Sequence, residues 1–329
     1  MRTLISVIVP FYNVEPFLEN TLKSLLTQSF ANFELVLIND SSSDNSKKIA
    51  HQVLSAQSKI DYRIIENDCN MGISFTRNVG IANANGKFIV FVDADDFVAE
   101  NFIQKLYSPF NDEDIDISVC KFEIVDLKSK TSRMITNEKN AKFQGKIDGK
   151  IALQNLLQDK ERSFLCKCMF KKELFKNISF PKDCNFMEDT IILPRLYARA
   201  NAIFFIPFPA LYLYKVRASS ATTGKVNTKN FVNMPDAIAE TVSFVKNTRK
   251  DIATKYLTRF QFLCTYNIVY NVLHSANVDF NAAKSLYKNF EKNLIRDQLV
   301  NLISQKSIRS LIWLLKLKIS PKSVWKRNQ

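Results

Sequence analysis

Glycine, proline and histidine are scarce in this chain, at 6, 9 and 2 of 329 residues. So little glycine and proline, beside 46% hydrophobic residues, excludes collagen-like and low-complexity sequences and leaves ample material for a globular core. The cysteines, Cys69, Cys120, Cys166, Cys168, Cys184 and Cys264, form no CxxC pair, and His51 and His274 cannot complete a zinc set, so reduced and mostly buried thiols are expected. No apolar run reaches the roughly 18 residues of a membrane span, and no period of about 20 to 50 residues marks a repeat array. GxGxxG is missing after the first apolar run, and GxxxxGKS or GxxxxGKT is missing throughout, which disfavours dinucleotide cofactors and P-loop phosphate transfer. The opening "MRTLISVIVPFYN" meets Pro10 and polar residues without a small-residue cleavage site. It reads as a first strand, not a signal peptide, and a cytoplasmic protein is expected.

The net charge of +14 is unevenly spread. Residues 1–116 hold 9 Lys+Arg against 16 Asp+Glu, net −7, and residues 117–329 hold 37 against 16, net +21. An acidic first part suits metal ions, and a basic second part suits anions such as nucleic acid, anionic lipid headgroups or phosphorylated glycans. The length is generous for one core, so a large domain with an appended region is expected.

Apolar runs at Leu4–Val9, Phe33–Ile38, Tyr62–Ile65 and Phe88–Val92 read as strands, separated by helical spacing over Phe17–Thr27, Ser46–Gln57 and Thr76–Ala84, the last with Ser74 as N-cap. That alternation predicts a doubly wound α/β layer, in which ligands collect at the carboxyl ends of the strands. Polar residues stand at those ends: Tyr12 and Asn13, Asn39 and Asp40, Asn70, then Asp93, Asp95 and Asp96. In "GKFIVFVDADDF" a buried-type strand runs into three carboxylates whose mutual repulsion a divalent cation would relieve, and the same cation could bridge to phosphate oxygens.

Four ordered blocks carry a resemblance: "SVIVPFYNVEPFLENTLKSLLTQSF", "FELVLINDSSSDNS", "NMGISFTRNVGIANANGKFIVFVDADDF" and "NFMEDT", with weaker matches at "CKCMFKKELF" and "YLYKVRASSAT". The chain resembles the family 2 glycosyltransferases over roughly residues 4–222. The resemblance implies a GT-A-type fold, doubly wound with a mainly parallel sheet and helices on both faces, over residues 1–222; beyond it, the pattern of the basic residues 223–329 predicts an α-helical appendage. The resemblance further implies inverting, Mn2+- or Mg2+-dependent transfer from a nucleotide-diphosphate sugar, a UDP-sugar, to a hydroxyl of a glycan or lipid-linked oligosaccharide acceptor in surface polysaccharide or lipooligosaccharide synthesis.

By the same resemblance Asp40 accepts a uracil N–H, Pro10 and Tyr12 line the base pocket, and Asn13, Glu15, Asn70 and Ala94 join the donor contacts. Asp93 faces the ribose, Asp95 with Asp93 holds the metal, Asp96 lies near the sugar or the metal's waters, and Arg77 reaches the donor. Asp189 is the implied general base, with Glu188 beside it, and Lys167, Lys215, Arg217 and Ser219 are candidates for donor-phosphate or acceptor contacts, although Ala218 stands where relatives carry Gly. Bland alternatives stay open. Arg77 could be a helix-surface ion pair, Tyr12 a core-edge residue, Asp40, Glu188 and Asp189 charges at helix N-termini, and Lys167 a solvated strand lysine.

Beyond residue 225, Ala237–Val245, Tyr256–Leu273 and Ala282–Leu294 have helical patterns. The tail "SIRSLIWLLKLKISPKSVWKRNQ" pairs apolar residues with clustered cations, which suits either peripheral attachment to the inner face of an anionic membrane or a helix packed on its own core. Two other functions compete: nucleic-acid binding through the +21 part, for which neither a recognised module nor interleaved aromatics appear, and an inactive glycan-binding relative, against which the intact Asp93, Asp95 and Asp189 argue.

Overall fold

The structure, a computed structural model, describes residues 3–57, 59–126, 131–133, 143–207, 209–215 and 233–273. Arg217, Ser219, the expected helix over 282–294 and the basic tail lie outside the described residues. The chain divides into two compact units, Met1–Ala152 with Ser163–Arg217, and Leu153–Arg162 with Ala218–Gln329.

Strand and helix alternate at first as the pattern predicts: β1 (Ile5–Phe11), α1 (Glu15–Leu26), β2 (Phe33–Asn39), α2 (Ser46–Ser55), β3 (Asp61–Glu66), α3 (Ile73–Asn83) and β4 (Phe88–Phe91). The chain continues through β5 (Phe97–Val98), α4 (Phe102–Tyr107), β6 (Ile115–Val119), β7 (Phe122–Asp126), β8 (Thr131–Arg133), β9 (Gly145–Asp148), α5 (Gly149–Leu157), β10 (Cys168–Lys171), α6 (Glu188–Arg199), β11 (Ala202–Phe205) and β12 (Tyr212–Lys215). Ser74 is not the cap of α3. Gly72 occupies that position, and the Ser74 hydroxyl lies within the first turn and donates to the Cys184 carbonyl.

An 8-stranded sheet has the order β3-β2-β1-β4-β10-β6-β11-β9. β3, β2, β1 and β4 are mutually parallel, β10 runs antiparallel to both β4 and β6, β6 and β11 are parallel, and β9 is antiparallel to β11. Every residue of β1 and β2 is buried. A strand covered on both faces must be apolar along its length, which is why these runs do not alternate. On one face Val7, Val9, Leu35 and Leu37 share a core with Leu18, Leu22 and Leu25 of α1 and Leu54 of α2. On the other, Gly80 of α3 presses against Ile8 and Ile38. Helices therefore cover both faces.

Gly86 brings the chain into β4 so close to β1 that a Cβ would run into the backbone of Ile5 and Ser6. Its N–H donates to Ser6 Oγ at 2.8 Å, and Ser6 Oγ donates to Glu34 Oε1 at 2.6 Å. A second, 4-stranded sheet has the order β5-β12-β7-β8. In the other unit, α7 (Met234–Thr248) and α8 (Thr254–Leu273) pack on each other. All six cysteines are free thiols, and all but Cys69 are buried.

Candidate active site

Leaving β1 the chain first builds β2 and β3 on one side and then crosses to β4 on the other, so the topological switch point lies between β1 and β4. Crevices outside the carboxyl ends of strands at such a point are where α/β sheets bind ligands. Tyr12, 45% exposed, projects there after β1, while Pro10 is buried within β1 and Ala94 is buried beyond β4.

Asn13 and Glu15 are spent on joining two turns. Asn13, at φ +49°, accepts the Ser43 N–H at Oδ1 (2.8 Å) and donates its own N–H to Ser42 Oγ (3.1 Å). Glu15 donates its N–H to Asp44 Oδ2 (3.0 Å) and accepts from the Asn45 N–H (3.0 Å) and Nδ2 (2.9 Å). These contacts fasten the turn after β1 to the turn after β2.

Asp40 is buried, and its carboxylate braces the segment leading to α3. Oδ1 accepts from Asn67 Nδ2 (2.7 Å) and the Met71 N–H (2.9 Å), and Oδ2 from the Gly72 N–H (2.8 Å). Asn67 is a partner the sequence reading missed, although it stands in the same "ENDCN" stretch as Asn70, which is exposed. Gly72 has φ +85°, and a Cβ there would overlap the Asn185 carboxamide. Gly72→Ala is therefore expected to cost about 1–3 kcal/mol of stability through backbone strain alone. Urea unfolding checks this, and an unchanged midpoint would contradict it.

Arg77 is the hub of the site. Its side chain is only 4% exposed, which removes the reading as a helix-surface ion pair. Nη1 donates to Glu188 Oε1 (2.6 Å) and Asp189 Oδ1 (2.8 Å), and Nη2 to Asp93 Oδ1 (3.1 Å). Its guanidinium carbon lies 6.0 Å from the Phe91 ring centre and 5.5 Å from that of Phe180, so apolar rings flank a cation shared among three anions. Burial alone would lower its pKa, but Asp189, Glu188 and Asp93 more than reverse this and raise it. Nε is buried and has no partner among the described residues.

Glu188 and Asp189 open α6 behind Met187, whose φ of +59° turns the chain into the helix. Asp189 Oδ2 also accepts the Leu165 N–H at 2.9 Å. Burial first, then Glu188 and Asp93, push the Asp189 pKa up to about 7 against the opposing pull of Arg77 and the Leu165 amide. A carboxyl group at that value is poised to take a proton near neutral pH.

The three aspartates after β4 have separate fates. Asp93 is 29% exposed and Asp95 is half-buried. Asp96, expected near the sugar, is fully buried. Its Oδ2 accepts the Tyr212 hydroxyl (2.8 Å) and its Oδ1 the Lys215 N–H (2.8 Å). Burial, then the charges of Asp93 and Asp95, raise its pKa to about 8. The Tyr212 oxygen also accepts the Asp93 N–H at 3.1 Å. Tyr212 lay within the quoted "YLYKVRASSAT", but nothing local marks a phenol for this task.

Lys167 and Lys215 are both buried, which removes the solvated reading of Lys167. Their ammonium groups lie 5.9 Å from the Phe122 ring centre and 4.6 Å from that of Phe97, respectively. Burial lowers the Lys215 pKa despite Asp96 and Asp95.

Among the described residues no three His, Cys, Asp or Glu side chains converge into a complete protein-made metal site. Two carboxylates still suit a hard divalent cation that completes its shell with phosphate oxygens and water. Asp93 fits such a role, because its Oδ2 takes no hydrogen bond among the described residues and the side chain is open to solvent.

Known proteins share both the sequence and the architecture. The family model for glycosyl transferase family 2 matches residues 6–179. EpsJ of Bacillus subtilis, a glycosyltransferase, is 31% identical over 224 residues, covering 68% of this chain and 64% of its own. GgaB of the same organism, a minor teichoic acid biosynthesis protein, is 29% identical over 233 residues, 69% of this chain and 25% of its own. The match thus spans under two thirds of either relative. The S. aureus TarS 1–349 structure in complex with UDP-GlcNAc superimposes with a TM-score of 0.62 at 18% identity, covering 92% of each chain, and shares the GT-A-type fold. The matched segment runs from β1 through β10, the part of the sheet that carries the switch point and the Asp93–Asp96 turn, and the chain belongs to glycosyltransferase family 2.

Proposed function

We propose that the protein transfers a sugar from a UDP-sugar to a hydroxyl of a cell-surface glycan acceptor, with inversion at the anomeric carbon. The observation that carries this reading is the Arg77 fork, which holds Asp93, from the turn after β4, and Asp189, at the start of α6, on a single side chain. Donor-side and acceptor-side carboxylates are thereby kept within one guanidinium of each other. The GgaB and TarS relatives, one named for teichoic acid synthesis and the other bound to UDP-GlcNAc, support the surface glycan and the UDP-sugar.

Asp189 removes the acceptor proton as the hydroxyl oxygen attacks. The bond from the anomeric carbon to the phosphate oxygen breaks on the opposite side, and its electron pair leaves with UDP. Arg77 and the Leu165 N–H orient the base, and Glu188 sits beside it on the same guanidinium. Tyr12 provides a ring face for the base at the mouth of the crevice. Asp93 and Asp95 are the residues that would hold Mn2+ or Mg2+, which when bound offsets charge on the departing diphosphate. Residues 1–222 form the catalytic domain in this reading, and residues 223–329 form a basic helical region through which the protein sits peripherally on a membrane. No described helix is long and apolar enough to cross one.

Asp95→Ala is expected to lose the Mn2+-dependent part of UDP binding, measured by calorimetry with and without chelator, while unfolding at the wild-type midpoint. The reading as a whole is tested by Mn2+-dependent release of UDP from a panel of UDP-hexoses. Turnover indifferent to chelators would remove the metal role, and no release from any nucleotide sugar would remove the function.

A further inference from the structure

Phe88 opens β4 and pairs with Lys171 at the end of the antiparallel β10. Beside this pair lies a cavity of about 640 Å3, with Phe88 and Phe175 as apolar wall and Lys87, Lys171, Lys172 and Lys176 around it, against one carboxylate, Glu173. Two of the four ammonium groups are committed. Lys171 Nζ donates to Asp116 Oδ1 (2.8 Å) and the Glu113 carbonyl (2.7 Å), and Lys172 Nζ to the Ala84 carbonyl. Lys87 and Lys176 are exposed, and no acceptor meets either Nζ among the described residues.

Like charges gathered around a concave, partly apolar wall raise the local potential, and two ammonium groups with unused donors supply what an anion needs. The volume lies within the range of small-molecule sites. A strand advances about 3.3 Å per residue, so the five residues from Phe88 to Asp93 put this hollow roughly 16 Å from the carboxylates, at the opposite end of the sheet.

We propose that the hollow is an anion site for a phosphate group bearing an organic substituent, with phosphate oxygens on Lys87 and Lys176 and the substituent against Phe88 and Phe175. Such a phosphate could belong to a lipid headgroup or to a soluble ester. The test uses the full chain as wild type, Lys87→Glu/Lys176→Glu, the milder Lys87→Gln/Lys176→Gln, and a control, Lys48→Glu/Lys59→Glu, which makes the same charge change at exposed positions elsewhere. All four lysines are exposed, so the fold should persist, and unfolding midpoints check that it does.

Binding is measured with phenyl phosphate by calorimetry, and by co-sedimentation with phosphatidylglycerol–phosphatidylcholine vesicles against phosphatidylcholine alone. Phenyl phosphate affinity should fall roughly tenfold or more in the Glu pair, less in the Gln pair and not in the control. A parallel loss of binding to the anionic vesicles assigns the phosphate to lipid, and vesicle binding equal in all four proteins assigns it to a soluble ester. The proposal is overturned if wild type does not bind phenyl phosphate, or if the control weakens binding as much as the cavity pair.

Discussion

Asp189→Asn is expected to leave donor affinity unchanged and to slow transfer by roughly 10²- to 10⁴-fold, the range that a positioned acid–base group contributes. Asparagine is nearly the same shape, and its one carbonyl oxygen can still accept from Arg77 or from the Leu165 N–H, though not from both as the two carboxylate oxygens do, and it cannot hold the acceptor's proton. The pH profile gives an independent reading. The Asp189 pKa is raised to about 7, so the group is protonated and inactive as a base below that value and ionised above it. Wild-type kcat should therefore climb as pH rises through about 7, and the residual rate of the variant should not. Measuring UDP-sugar Kd and single-turnover transfer separates the possibilities: equal losses in both would make Asp189 a structural residue. A climb that survives in the variant would place the base elsewhere.

Arg77→Met should be the most destabilising single change at the site. It leaves Asp93, Glu188 and Asp189, with side chains 29%, 14% and 17% exposed, to face one another without their shared cation. Removing one partner from a buried ionic set costs about 3–5 kcal/mol, because the remaining charges keep their desolvation penalty and lose its compensation. The sign of the pH effect follows. Without the guanidinium the carboxylates hold protons more tightly in the folded state, so the deficit against wild type should be larger at high pH than at low pH. Arg77→Lys keeps the charge but not the planar fork, so it should fall between the two. Urea unfolding at two pH values decides the matter, and a variant within about 1 kcal/mol of wild type would show that Arg77 does not hold the site together.

Much of the sheet can be read from single segments, since a parallel strand covered on both faces has to be apolar throughout. β1, β2 and β4 announce themselves in this way. Nothing in the four residues of β10 says that it will insert antiparallel between β4 and β6, and the short strands of the second sheet carry too few residues to show a period. The site divides similarly. The aspartates after β4 are visible as a cluster, but which of them turns inward depends on Tyr212, 116 residues beyond Asp96. The partners of Arg77 are hidden for the same reason. Helical spacing exposes contacts three or four residues away, whereas its anions lie 16, 111 and 112 residues along the chain.

Tyr212 belongs to the smaller sheet, yet its hydroxyl is bonded at both ends of a turn that grows from the larger one. Burial, then Asp96, Cys166 and Asp93, raise the phenol's pKa well above its ordinary value. The latch between the sheets thus keeps its proton at any pH the enzyme will meet. A change of pH that alters the charge on Asp189, the proposed base, therefore leaves the phenol that joins the two sheets protonated.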